Sequence, residues 1–393
     1  MIPSIWMMPR IVFLESIRIG QIGCGNRGFG AHMGGVHKHA EEENVEIVAV
    51  CDVWTEHLDR AAAKVKQWHG RAPLATSKYE EVLAMKDLDA VMIASPDHQH
   101  CMHLEAAAKA GKDAYCEKPL AMNMAELKSA CDAVKAADIV VQIGTQRRSD
   151  PKSLGCKKLY EGGALGAVHR IEQYYTRSRP NWYKRLVRLP IAESELDWRE
   201  FLKPRPYRPF DDTLFAGWYG YREFCSGSIG QFMSHFIDLV HLVSGASFPE
   251  SAVAMGDTFV WKDEYEFDCP EQVDTTLIYP EGFMVHFCTN LCNNHGQRTV
   301  AYGTQGVLDL AAGKASGAGA HKKGPLGEKV AVEPIPCPDH FLNWLQCLRT
   351  RETPAAPIAA GYQHGVACIL SDRAWETGRR QVYDHQQREI RDG

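Results

Sequence analysis

The chain has 393 residues, 45% hydrophobic and 24% charged, with a formal net charge of -5. That length predicts two domains, because a single core rarely grows past about 250–300 residues. The charge balance, with no long run of Lys or Arg, gives no electrostatic case for nucleic acid, and no apolar run reaches the roughly 18 residues that cross a bilayer.

The thirteen cysteines are scattered and form no C-x-x-C pair. Most fall inside apolar patterns, which predicts buried, reduced thiols in a cytoplasmic protein and neither a disulfide framework nor a metal site. Met1–Phe13 is apolar but has no basic leading region and no small-residue cleavage site. It reads as a frayed extension, or as sequence ahead of a start at Met7 or Met8, and not as a signal peptide.

The first strand, Ile17 to Gly23, runs into Gly23-Cys24-Gly25-Asn26-Arg27-Gly28, and a helical stretch follows to about Ala40. A G-x-G-x-x-G between strand and helix is a dinucleotide-binding turn. Gly23 makes the turn, Gly25 admits a pyrophosphate, Gly28 lets helix and strand pack, and Asn26 and Arg27 lie on the same loop. The next strand, Glu46 to Val50, ends at Asp52, where a ribose-binding carboxylate belongs. That carboxylate repels a 2′-phosphate, and Val53-Trp54-Thr55-Glu56 supplies no arginine to offset it. NAD is therefore expected over NADP.

Alternation continues with helices near 56–68 and 78–85 and an apolar strand at 90–94. Ser95-Pro96-Asp97-His98-Gln99-His100 then opens a helix that Gly111 stops. The next strand, Asp113 to Pro119, ends in Glu117-Lys118. Two ionic groups there have no use in a packed strand, but strand carboxyl ends are where an open α/β sheet binds ligands. Lys118 is placed to donate to an alkoxide or a ribose hydroxyl. A helix at 124–136 and a strand at 139–143 lead to Gln146. Repeated β-α units predict a parallel, doubly wound Rossmann sheet, with the strand ends near Ser95, Glu117 and Gln146 lining one crevice. His98 and His100 are expected to contact the dinucleotide or a substrate hydroxyl. As metal ligands they would diverge, and as helix decoration they would do neither.

From about residue 150 the character changes: residues 1–150 are expected to bind NAD and 151–393 to bind substrate and to oligomerise. A helix near 153–160 and a strand at 168–176 precede an irregular stretch, 177–220, rich in aromatic and cationic residues. Arg177, Arg179, Arg185, Trp182 and Tyr183 belong to it and as a group suit a carbohydrate pocket, while any single aromatic among them is more simply read as stapling the loop to a core. The following helix carries Gln231 and His235, which share a face, with Asp238 one turn on. Strands near 252–260, 273–279, 282–289, 298–303 and 306–310 predict a large, mostly antiparallel open sheet. A Gly/Ala/Lys-rich loop at 311–329 and two closing helices complete the chain.

In order and spacing, Gly23-x-Gly25-x-x-Gly28, Ser95-Pro96-Asp97-His98-Gln99-His100, Glu117-Lys118-Pro119-Leu120, Gly144-Thr145-Gln146-Arg147-Arg148 and Gly162-Gly163-Ala164-Leu165-Gly166 resemble the Gfo/Idh/MocA family. The resemblance implies a homo-oligomer (dimer or tetramer) whose last helices pack back on the Rossmann domain. It also implies NAD-linked oxidation or reduction of a sugar or polyol hydroxyl, with Lys118 and His235 at the reacting centre. The family's Asp-x-x-x-His has Gln231 at its aspartate position here, so His235 works with a lower pKa, or takes Asp238 as its carboxylate, or the pocket does different chemistry. The alternative is a glycoside-cleaving enzyme of the same fold, in which retained NAD oxidises the sugar transiently.

Overall fold

The computed structural model describes residues 15–393 apart from 179 and 181; the apolar start and Arg179 lie outside the described residues. Strands β1 (Ile17–Ile22), β2 (Val45–Cys51), β3 (Leu74–Thr76), β4 (Ala90–Ile93), β5 (Asp113–Cys116) and β6 (Val141–Ile143) form a parallel sheet ordered β3-β2-β1-β4-β5-β6. Every residue of β4 is buried, as expected of a parallel strand covered by helices on both faces. Strand order reverses between β1 and β4, and that switch point opens the crevice. The short strand β3 is exposed at two of its three residues and had no hydrophobic pattern to reveal it.

The second sheet contains β7 (Val168–Thr176), β8 (Ser251–Asp257), β9 (Gln272–Tyr279), β10 (Phe283–Asn290), β11 (Arg298–Gly303), β12 (Gly306–Asp309), β13 (Lys314–Ser316), β14 (Val330–Ala331), β15 (Gln381–Asp384) and β16 (Glu389–Asp392). Its order is β14-β13-β12-β11-β7-β10-β9-β8-β15-β16. β7 and β10 pair in parallel and the other neighbours are antiparallel. One face is apolar: Val273, Leu277, Val285 and Phe287 share a cluster with Phe236 and Ile237 of helix Ser234–Ser244 and Val366 of helix Ile358–Thr377.

Two segments differ from the sequence reading. The 311–329 stretch is not all loop, because Lys314–Ser316 pairs with β12. The chain also does not end on a helix: β15 and β16 form a hairpin that extends the sheet through β8. Both elements are short and polar, so sheet-edge hydrogen bonding and not hydrophobic periodicity defines them.

Helix His340–Thr350 packs back on the Rossmann sheet. Its Trp344, Leu345 and Cys347 join Ile17, Ile19, Val45 and Ile47 in one cluster, and Phe341 stacks on Tyr115 at 4.8 Å. Asp339 caps the helix by accepting from the Phe341 and Leu342 amides.

The interior holds histidines that burial keeps neutral. Burial lowers His98, His103 and His364 to about 3 and His340 to about 4 from an ordinary 6.5. Unfolding frees these rings to take protons below pH 6.5, so from there down to about pH 3–4 the unfolded chain binds more protons and acid favours it. Each ring contributes a fall of up to about 1.4 kcal/mol per pH unit. The melting temperature should therefore drop steadily from pH 7 to pH 5; a flat or rising profile would contradict the neutral, buried assignment.

Candidate active site

The carboxyl ends of β1, β4 and β5 border a cleft of about 330 Å³, roofed by Arg185, Phe201, Phe215, Trp218 and Tyr219 from the second domain. One end is built for a dinucleotide. Gly23 adopts φ +83°, and a Cβ there would lie 2.6 Å from the Ala94 carbonyl carbon. A Cβ on Gly28 would lie 1.8 Å from the Gly23 carbonyl oxygen, whereas one on Gly25 would meet nothing nearer than His57 at 3.6 Å. Gly28 is thus a packing position and Gly25 an open face. Gly25, Asn26 and Arg27 line the cleft, with Asp52 at its far end. The Asp52 carboxylate accepts from the Cys24 and Trp54 amides at 2.6 and 2.9 Å, which aims it along the cleft wall. This bare backbone beside a fixed carboxylate fits the pyrophosphate and ribose of NAD. A cation does stand nearby, from the other domain: Arg188 Nη1 lies 2.9 Å from His57 Nε2, and His57 lies 3.6 Å from Asp52.

Glu117 is a structural anion. It accepts from Arg27 Nε at 2.5 Å and lies 3.0 Å from His32 Nε2. Burial opposes its charge, but the His32 contact and the Arg27 cation outweigh that and hold the carboxyl well below the usual range.

At the reacting end, Lys118 Nζ donates to the Gln231 carbonyl at 2.9 Å and to Gln231 Oε1 at 3.1 Å. Tyr219 Oη also donates to Gln231 Oε1. The Gln231 amide in turn donates to both Asp97 carboxylate oxygens, at 2.5 and 2.6 Å. Asp97 further accepts from the Ser226 amide. Burial lowers the Lys118 pKa despite the opposing charges of Glu117 and Asp97. Burial, followed by the Lys118 charge, holds His235 neutral, well below 6.5. Its ring faces the cleft with no hydrogen-bond partner among the described residues.

The cleft brings together Gly23, Gly25, Asn26, Arg27, Asp52, Ser95, His100, Glu117, Lys118, Gln231 and His235 from the predicted set. The others lie elsewhere, each for a packing reason. His98 is buried against Phe201 and Phe224, its Nε2 2.9 Å from the Phe201 carbonyl, so it does not reach a dinucleotide. Gln146 sits behind the cleft and donates to Tyr115 Oη. His100, within the cleft wall, ties two strand ends, its ring nitrogens 2.7 and 2.8 Å from the Pro119 and Ser95 carbonyls. Trp182 is buried with Cys225, Cys269 and Leu291, and Tyr183 packs on Trp261 and Phe267. Arg177 is exposed, its guanidinium over Tyr175. Asp238 is fully buried and accepts from Arg148 Nε at 2.8 Å, so it does not serve as the His235 carboxylate. Of the aromatic and cationic 177–220 segment, Arg185 and Tyr219 do line the cleft, and so does Asp97, for which the sequence suggests no role. Asp97 stands inside a recognised motif, but nothing local in sequence reveals its partner.

Fold and site together define a two-domain protein in which an NAD-binding Rossmann domain is roofed by an α/β domain. The chain belongs to the Gfo/Idh/MocA family: residues 17–145 match its model described as oxidoreductase family, NAD-binding Rossmann fold, and residues 154–309 match its C-terminal domain. A 160-residue segment is 30% identical to the uncharacterised oxidoreductase YrbE of Bacillus subtilis, covering 40% of this chain and 44% of that one. A 179-residue segment is 31% identical to levoglucosan dehydrogenase of Pseudarthrobacter phenanthrenivorans, covering 46% and 39%. The chain thus spans less than half the length of these two curated relatives. In three dimensions it resembles the WlbA dehydrogenase of Bordetella pertussis, solved with NADH and UDP-GlcNAcA. The TM-score is 0.70 at 21% identity, over 94% of this chain and 99% of that one. A levoglucosan dehydrogenase solved with NADH and levoglucosan superimposes with a TM-score of 0.69 at 18% identity, over 93% and 99%. At these identities the likeness concerns the fold.

Proposed function

We propose that the protein oxidises or reduces a sugar or polyol at one carbon with NAD, with the reacting carbinol held between Lys118 and His235. The observation that carries this reading is the pairing of a lysine of lowered pKa with an unpartnered neutral imidazole at one end of a dinucleotide cleft. Relatives named as inositol and levoglucosan dehydrogenases support the substrate class. Bound NAD would supply the hydride acceptor. Asn26, Arg27 and Asp52 would hold its phosphates and ribose. As the ammonium, Lys118 donates twice to Gln231 and keeps one N–H for the substrate oxygen while His235 takes the O–H proton; as the neutral amine it keeps both bonds to Gln231 and takes that proton on its lone pair. Gln231 substitutes for the family aspartate indirectly: its amide is turned by Asp97 so that its oxygen faces Lys118 and Tyr219, not His235. The exposed Val253, Met255 and Met284 on the open sheet support a homo-oligomer.

The test is NADH formation from NAD in the presence of a panel of sugars, inositols and sugar acids. No turnover with any of them, in either direction, would overturn the reading. A second reading, glycoside cleavage with retained NAD, draws support from the second-domain strap across the cofactor end: Trp54 bridges Leu196 and joins its apolar cluster, and the Asp197 amide donates to the Val53 carbonyl. Cleavage of aryl glycosides without added NAD would select it.

Gln231→Met separates the two proton groups. Loss of the Oε1 acceptor removes a hydrogen bond to the ammonium and lowers the Lys118 pKa, so the high-pH limb of kcat/KM should move down while the limb set by His235 stays. Movement of the low limb alone would contradict the assignment of Gln231 to Lys118.

A further inference from the structure

The roof of the cleft carries a cation with no hydrogen-bonded anion among the described residues. Arg185, on the short helix Tyr183–Leu186, lines the cleft with Lys118, Gln231 and His235. Its guanidinium lies over Trp218 and Tyr219, 4.9 and 5.0 Å from the ring centroids. Among the described residues, no carboxylate or carbonyl accepts from that guanidinium. The other charged side chains on these walls are engaged. Arg27 pairs with Glu117 at 2.5 Å and Glu200 with Lys203 at 2.8 Å. Asp97 takes the Gln231 amide, and Asp52 takes two backbone amides.

Arg185 is half-buried; drawing an unpaired guanidinium even partly out of water is costly, and stacking on two rings recovers part of that. The same stacking fixes the plane of the fork, which suits it to receive a carboxylate or phosphate through two parallel hydrogen bonds. Of the carboxylates, Asp97 is the one whose charge reaches Arg185, and it is already held by the Gln231 and Ser226 amides. A neutral sugar would leave this arginine unmatched at the end of the cleft where chemistry occurs.

We propose that the substrate is an anionic sugar or polyol, a sugar acid or a sugar phosphate, whose anionic group is received by Arg185 while its reacting carbinol lies at Lys118 and His235. This rests on the cleft being the sugar site, and the experiment separates the two ideas. NADH-loaded protein is titrated calorimetrically with glucuronate, galacturonate, a hexose phosphate, glucose and galactose, for wild type and for Arg185→Gln, Arg185→Leu and Arg185→Lys. The expected result is that an acid binds at least about 10-fold tighter than its neutral counterpart, as a charge-assisted pair requires. Whether the uronates or the hexose phosphate bind tighter identifies the group. Arg185→Gln and Arg185→Leu should lose the preference and Arg185→Lys keep part of it, all with wild-type NADH affinity and melting temperature.

Equal binding of acid and neutral sugars, no binding of any acid, or a preference that survives in Arg185→Gln would overturn the proposal while the NAD-linked reading stands. A loss of NADH affinity in Arg185→Gln would also overturn it, by assigning the guanidinium to the cofactor's phosphates. If wild type does not bind NADH, the reading of the cleft fails and this proposal with it.

Discussion

Lys118→Met is expected to lower kcat by about 100- to 10,000-fold, the range for removing a positioned proton-transfer group, while NADH still binds. Methionine retains much of the length and apolar stem of lysine but can neither donate to the Gln231 carbonyl and Oε1 nor hold a proton. Two acceptors on one buried residue lose their donor, and Tyr219 is left as the donor to Oε1. A modest loss of stability, about 1–3 kcal/mol, should accompany the change, because the freed groups are partly buried. Binding and chemistry must therefore be measured apart. Equilibrium NADH titration checks that the cofactor end is intact, and single-turnover hydride transfer checks the reacting end. A variant that binds NADH normally and turns over at the wild-type rate would remove Lys118 from the mechanism.

Gly28→Ala should have the largest effect at the cofactor end. The added methyl would lie 1.8 Å from the Gly23 carbonyl oxygen and 2.9 Å from Gln21 Nε2. The first neighbour is backbone, so relief requires β1 and the following helix to separate. Overpacking of this kind costs about 1–3 kcal/mol where side chains yield, and about 3 kcal/mol or more is expected here because the main chain has to move. Calorimetric melting should show that loss together with weakened NADH affinity. Gly25→Ala, whose methyl has open space toward His57, should melt like wild type and lose NADH affinity alone. If both variants behave alike, the two glycines do not have the separate roles assigned to them.

The legible parts of the fold were those whose side chains repeat. Strand β4, apolar throughout, and the turn Gly23–Gly28 carry their structure in their own residues. β3, β15 and β16 do not: each is three or four residues long, and β3 and β15 exist through pairing with β2 and β8, far away in sequence. The site divides in the same way. Lys118 and His235 stood out as charged or titratable residues ending a strand and facing along a helix. What Gln231 does was illegible, because the carboxylate it meets, Asp97, lies 134 positions away. Two histidines at one helix start show the limit: His100 borders the cleft while His98 turns into Phe201 and Phe224, and nothing in the local spacing separates them. The aromatic and cationic 177–220 segment was recognisable as a group, but Arg177, Trp182 and Tyr183 pack away from the cleft, whereas Arg185 and Tyr219 line it.

A crystal structure of the NADH complex tests the central claim most directly. The account predicts the pyrophosphate over Gly23–Gly28, the adenosine ribose on Asp52 and the nicotinamide beside Lys118 and His235. A cofactor bound in the reverse direction, or with its nicotinamide remote from Lys118, would contradict it.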